Sequence, residues 1–219
     1  MRWRFFGTVP ANQSSGGKHD MSRVLRRWWW LALAFTSASC SLPRTHYYTM
    51  ELPHATPETG PVIARHITIQ RFRADQVLMD DRILYREGPN EVNFYEYHRW
   101  ASPPVDLATN YFLYRLKDSG TYARVSAYYD GAHADFTLQG RLHHFEEVDR
   151  GKEVFASVAL ELELMDTGTR ALVWRGEAEC THPVTIRDMA GVVRGIYDCL
   201  DEIASKLLVS MQQQLGKGK

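Results

Sequence analysis

The chain has 219 residues, room for one domain with appendages at about 100–200 residues per domain, and its 44% hydrophobic and 24% charged residues exclude a disordered chain. Basic and acidic residues balance at 26 each, yet six basic residues (Arg2, Arg4, Lys18, Arg23, Arg26, Arg27) and a single acid, Asp20, fall in residues 1–39. The other 180 residues hold 20 basic against 25 acidic side chains, a formal charge of −5, which argues against a nucleic-acid partner.

Residues 1–20 are polar, contain Gly and Ser, and precede a well-formed export signal that begins at Met21, so they are read as an upstream extension from a mis-assigned start. Residues 21–39 have the three parts of a secretory signal. Arg23, Arg26 and Arg27 supply the positive end, Trp28 to Phe35 the apolar run, and Ser37-Ala38-Ser39 the small residues before Cys40. The apolar run is far shorter than the ~20 residues a spanning helix needs. Small residues followed by Cys40 fit a bacterial lipoprotein processing site, in which the thiol is diacylated before cleavage; the alternative is ordinary cleavage beside a coincidental cysteine. Each buried acyl methylene contributes about 0.8 kcal/mol, so several chains anchor a protein without a spanning helix. Ser41 follows where an Asp would retain the protein at the inner membrane, which favours passage to the outer membrane.

Residues 40–61 hold Pro43, Pro53, Pro57 and Pro61 and read as a tether with one short strand within Thr45–Met50. Residues 62–215 carry the folded domain. Ile63, Ile67 and Ile69 lie on an alternating strand. Arg82–Arg86 and Asn93–Tyr97 flank Gly88-Pro89-Asn90, the residue types of a hairpin turn. Pro103-Pro104 opens a helix with Leu107, Tyr111 and Leu116 on one stripe, and Gly120 ends it. Phe136, Leu138, Gly140 and Leu142 alternate with polar residues, and so, more strictly, do Val154, Ala156, Val158, Leu160, Leu162 and Leu164. Asp166-Thr167-Gly168 turns that strand into Ala171–Arg175. Met189, Val192, Val193, Ile196, Leu200, Ile203, Leu207 and Met211 then recur at helical spacing. The expected fold is a single α+β domain, a mainly antiparallel sheet covered on one face by two helices.

With Cys40 lipidated, Cys180 and Cys199 remain as an even pair in an oxidising compartment. A bridge between them would close a loop of just under about twenty residues and stabilise by about 3 kcal/mol. Against it, a helix running from about Ile186 carries Cys199 about 20 Å along its axis, so the connector from Cys180 must double back. Spacing alone leaves the pairing undecided.

No P-loop, dinucleotide fingerprint, nucleophile elbow, H-E-x-x-H or C-x-x-C motif is present, which excludes those catalytic classes. His133, Asp135, His143, His144, Glu146 and Glu147 are of zinc-ligand type. On a regular strand His143 and His144 point to opposite faces and cannot chelate one ion, so the set reads as a polar outer face and neither metal nor cofactor is expected. Tyr128-Tyr129, Tyr95, Tyr97 and Trp100 suit either a lipid or peptide surface or ordinary sheet packing.

The order of several segments resembles a known family. These are Tyr47-Tyr48-Thr49-Met50, Ile67-x-Ile69 with Phe72, Asp81–Arg86, Tyr97–Pro104 leading into a helix, and Ala134–Leu138 followed by Gly140, closed by the long helix. Together, over roughly residues 45–215, they resemble the ABC-type transport auxiliary lipoproteins, the PqiC-like component of MCE lipid-transport systems. Ser37 and Ser39 in the lipid site, Met50 in place of the usual Leu, and the upstream extension depart from that pattern. The resemblance implies a non-catalytic, self-associating lipoprotein at the outer membrane, handling phospholipid and docking a periplasm-spanning MCE-domain protein whose system includes an inner-membrane permease and ATPase. The competing expectation is a periplasmic lipoprotein hydrolase, which requires His133, Asp135 and one of His143 or His144 to converge in a pocket. A third is a structural factor for envelope assembly.

Overall fold

The domain is organised on one long hairpin. Strand β7 (Phe136–Arg150) and strand β8 (Glu153–Asp166) pair antiparallel along nearly their whole length. Gly151 makes the two-residue turn possible, with a φ of 65° that a side chain would strain. Strand β9 (Leu172–Pro183) extends the sheet antiparallel to β8. The computed structural model describes residues 43–51, 62–128 and 133–217, and Arg44–Lys219 forms one compact unit. The segments expected to be an export signal and most of a tether, with Cys40 and Tyr129, lie outside the described residues.

The other edge of β7 is shared by two wings. At its start, β2 (Ile63–Ile69) pairs with it in parallel through Ile67↔Phe136 to Ile69↔Leu138, and β6 (Tyr122–Ala127) pairs in parallel with β2. The two-residue β3 (Arg73–Ala74) follows, also parallel to β7. At the far end β4 (Arg82–Gly88) meets β7 through Tyr85↔Glu147 and Arg86↔Val148, again in parallel. The antiparallel β5 (Glu91–Trp100) and the short β1 (His46–Tyr48), parallel to β5, complete that wing.

The expectation of a mainly antiparallel sheet is therefore corrected. Among the described strands the sheet is mixed, and five of its eight pairings are parallel. Alternation reports that one face is covered and is silent on strand direction. The hairpins read from their turns are antiparallel, whereas parallel neighbours need long crossovers, and helix α1 (Pro104–Asp118) lies within the connection that returns the chain to β2 as β6.

Helix α1 starts with Pro104 in its first turn and ends before Gly120, whose φ is 62°. Its buried face, Val105, Ala108, Tyr111, Phe112 and Leu116, meets the sheet on the side where Leu138, Leu142, Val158, Leu160 and Leu162 are buried. Helix α2 (Met189–Lys217) packs on β8 and β9 with Val192, Ile196, Leu200, Ile203 and Leu207. Contacts of Cys180 with Cys199 and of Trp174 Nε1 with Ser210 Oγ (3.1 Å) show that α2 runs back antiparallel to β9. The helices touch where the Tyr111 hydroxyl donates to Asp201 and its ring meets Tyr197 edge-on at 5.8 Å.

Candidate functional site

The strongest candidate site lies where the chain enters the domain. Strand β1 is held by its pairing with β5, by Ala101 N–H donating to the Tyr48 carbonyl (2.7 Å), and by a Tyr48 hydroxyl contact with His98 Nδ1 (2.9 Å). The His46 ring stacks on His98 at 5.5 Å. Burial, then the neighbouring His46, pushes the His98 pKa down; burial, then the Asp188 charge, pushes the Tyr48 hydroxyl up. Both shifts favour the uncharged form at the contact that docks the strand. Two residues on, Met50 enters the core.

Facing β1 is the start of α2. The periodic pattern suggests a helix from about Ile186, but Asp188 intervenes as its N-cap: its Oδ1 accepts the Gly191 N–H (2.8 Å), and its carbonyl accepts the Val192 N–H (3.1 Å). Gly191 is required here because a Cβ would collide with the Ile186 carbonyl oxygen. This tight turn leaves the Ile186 side chain 67% exposed. Between β1 and the first turns of α2 opens a groove of about 350 Å³. Tyr48, Met50, Ile186, Val193 and Tyr197 give it a mostly apolar lining, and Glu51, Asp188 and Arg194 add charge. Its volume is that of a small-ligand site.

The histidines and acids singled out in the sequence do not converge. His66 Nδ1 bonds the His133 carbonyl (2.7 Å), and Asp135 accepts the His66 N–H (2.7 Å) and faces Arg65 (3.6 Å) at the start of β7. His144 lies nine residues further along, about 30 Å at ~3.3 Å per residue, and contacts Glu146 (3.0 Å). Among the described residues no three of this set bring donor atoms together, and the pocket required by the hydrolase reading does not form. The strand is not regular as expected: the register shifts between Leu142 and His144. Glu146 and Glu147 are not a wet outer face, being only 4% and 5% exposed. Glu146 receives two bonds from Arg86 (3.0 and 3.2 Å), and Glu147 receives the Tyr95 hydroxyl (3.0 Å).

Of the aromatic residues, Trp100 is buried against Phe145, Tyr95 packs against the core with its ring tilted against that of Tyr85, and Tyr128 is half exposed. Cys180 and Cys199 are joined as a disulfide with Cα atoms 5.3 Å apart, within the span such a bridge takes. The connector does double back: Val184 N–H bonds the Val154 carbonyl (2.8 Å), after which α2 returns over β9. No helix among the described residues is long and apolar enough to cross a membrane.

Sequence reasoning passed over the groove. The available signals were Tyr47-Tyr48 in a short strand close to Cys40 and Asp188 three residues before Gly191, a capping spacing.

A family model described as ABC-type transport auxiliary lipoprotein component matches residues 48–207. Among solved structures, a protein of family DUF330 from Xanthomonas campestris is similar with a TM-score of 0.70 and 20% identity, covering 78% of this chain and 98% of that one. Another, an uncharacterised protein, has a TM-score of 0.62 and 13% identity, over 77% of this chain and 99% of its own. At these identities the likeness is one of fold. No curated protein matches the chain.

Proposed function

The chain belongs to the ABC-type transport auxiliary lipoprotein family, and from that membership we propose that it is the outer-membrane-anchored, non-catalytic subunit of an MCE-type lipid transporter, docking the periplasm-spanning component at the membrane. Membership makes it an auxiliary lipoprotein of an ABC transport system in the cell envelope. In the finer reading Cys40 is acylated, the protein self-associates, and its partners are an MCE-domain protein and, through it, a permease and ATPase.

One observation carries this reading. The apolar groove is built on Tyr48 and Met50, the residues through which the N-terminal segment joins the sheet. Tyr48 lies eight positions after Cys40, a reach of at most about 30 Å, so an acylated Cys40 keeps the groove close to lipid. Apolar walls suit an acyl chain, and the Arg194 guanidinium suits a phosphate.

Native mass spectrometry of detergent-extracted protein, expressed from Met21 in a Gram-negative host, tests it. The expected species starts at Cys40 with acyl chains, forms a discrete oligomer and retains phospholipid, with less phospholipid after Val193→Trp fills the groove. An unacylated monomer without phospholipid would overturn the reading.

A further inference from the structure

A separate cluster lies where α2 crosses β9. Cys180 and His182 are two residues apart on the strand and face α2, and Cys199 and Glu202 are three apart on the helix and face β9. The two sulfurs and a ring nitrogen of His182 all lie within 4.8 Å of one another. Glu202 Oε2 lies beside the group, 2.9 Å from His182 Nε2 and 3.7 Å from Cys180 Sγ, while Lys206 bonds the other carboxylate oxygen. Cys180 and Cys199 are buried, whereas His182 and Glu202 are more than one-third exposed, so solvent reaches the cluster from one side.

We propose that, when the Cys180–Cys199 disulfide is opened, Cys180, Cys199, His182 and Glu202 form a four-ligand site for Zn²⁺. Two thiolates, an imidazole and a carboxylate are the donor types zinc takes in tetrahedral coordination. Ligand atoms around tetrahedral zinc stand about 3.3–3.8 Å apart, given bonds of about 2.0–2.3 Å; three of the donors lie within 4.8 Å of one another and Glu202 Oε2 lies 2.9 Å from His182 Nε2, so opening the disulfide and side-chain rotation on two elements locked by the core bring the four to that spacing. Lys206, holding the second carboxylate oxygen, orients Glu202 in the way outer partners orient metal ligands. The chemistry balances. A dithiol reductant gives two electrons and two protons to the disulfide and is itself oxidised to a disulfide; Zn²⁺ then displaces two protons from the two thiols as both sulfurs bind. Metal and disulfide are mutually exclusive, so the site is gated by redox state and independent of the groove and of the transport reading.

The test uses the full chain, reduced with a phosphine and desalted without oxygen, then titrated with Co²⁺ and Zn²⁺. The expected result is one Co²⁺ per chain with sulfur-to-cobalt charge transfer and tetrahedral visible bands, displaced by Zn²⁺ and absent from the oxidised protein. His182→Ala and Glu202→Gln each weaken Zn²⁺ binding by at least about 10–100-fold, the loss seen when even a supporting partner of a metal ligand is removed. Cys180→Ser abolishes the charge-transfer band. Circular dichroism, taken alongside, reports whether the reduced chain stays folded. A folded reduced chain without the band, a band indifferent to His182→Ala, or unfolding on reduction that Zn²⁺ does not reverse would each overturn the proposal.

Discussion

Two consecutive carboxylates, Glu146 and Glu147, point to opposite faces of β7 and are both buried, but among the described residues only Glu146 has basic partners, in Arg86 and His144. Burial pushes the Glu147 pKa up to about 7; the Tyr95 hydrogen bond opposes that, and the nearby Asp149 charge adds to it. The folded state thus holds a proton that the unfolded chain releases near the ordinary value of 4.5. Stability falls as pH rises between those two values, with the loss complete above the folded pKa. Glu147→Gln keeps an acceptor for Tyr95 and removes the titration. Urea midpoints at pH 5.5 and 8 are expected to converge in the variant, with a gain at the higher pH on the order of 1–2 kcal/mol after solvent screening. At the groove, Asp188→Ala removes the cap of α2 and is expected to cost about 1 kcal/mol, read from the same midpoints. In the sequence Glu147 reads only as part of a polar outer face, and Asp188 is not singled out. The run His143-His144-Phe145-Glu146-Glu147 lacks alternation because one extra residue at the register shift reverses the parity, bringing Phe145 and Glu147 to the face of Leu142. That break in pattern was the available signal, and a regular-strand reading smooths over it.

At the scale of elements, legibility followed local chemistry. Pro104 and Gly120 bound α1 as their backbone preferences dictate, and the strict alternation of β8 marks its buried row from Ala156 to Leu164. Strand direction was illegible because parallel pairing joins residues far apart in the chain, such as Ile67 and Phe136, with no turn between them to read. The start of α2 was placed early because Ile186, at helical spacing, in fact caps nothing and faces solvent. The β8 row is also where packing matters most: Leu160 is fully buried, and Leu160→Ala is expected to cost about 2–5 kcal/mol, lowering the urea midpoint without changing the slope. The clamp between β9 and α2 is a further expectation. Non-reduced protein should weigh two hydrogens less than the reduced form for the Cys180–Cys199 pair, and its reduction should cost about 3 kcal/mol.

For the whole molecule, the two wings on β7 are unequally attached. The wing of β2 and β6 is covered by α1, whereas that of β4, β5 and β1 joins β7 through Tyr85↔Glu147 and Arg86↔Val148. Across the same seam run the Arg86–Glu146 ion pair and the Tyr95–Glu147 hydrogen bonds. Arg86→Ala strands a buried carboxylate and is expected to destabilise by about 3 kcal/mol, and a combined Arg86→Met, Glu146→Leu variant to recover much of that in thermal melts. The seam has a mechanical meaning. Tension on the residues ahead of His46 enters the body through β1, passes to β5 and β4, and reaches β7 at Tyr85 and Arg86. A leash pulled from outside therefore strains the buried carboxylates before it strains the helices, and the wing that peels first is the one whose β1 strand forms a wall of the groove.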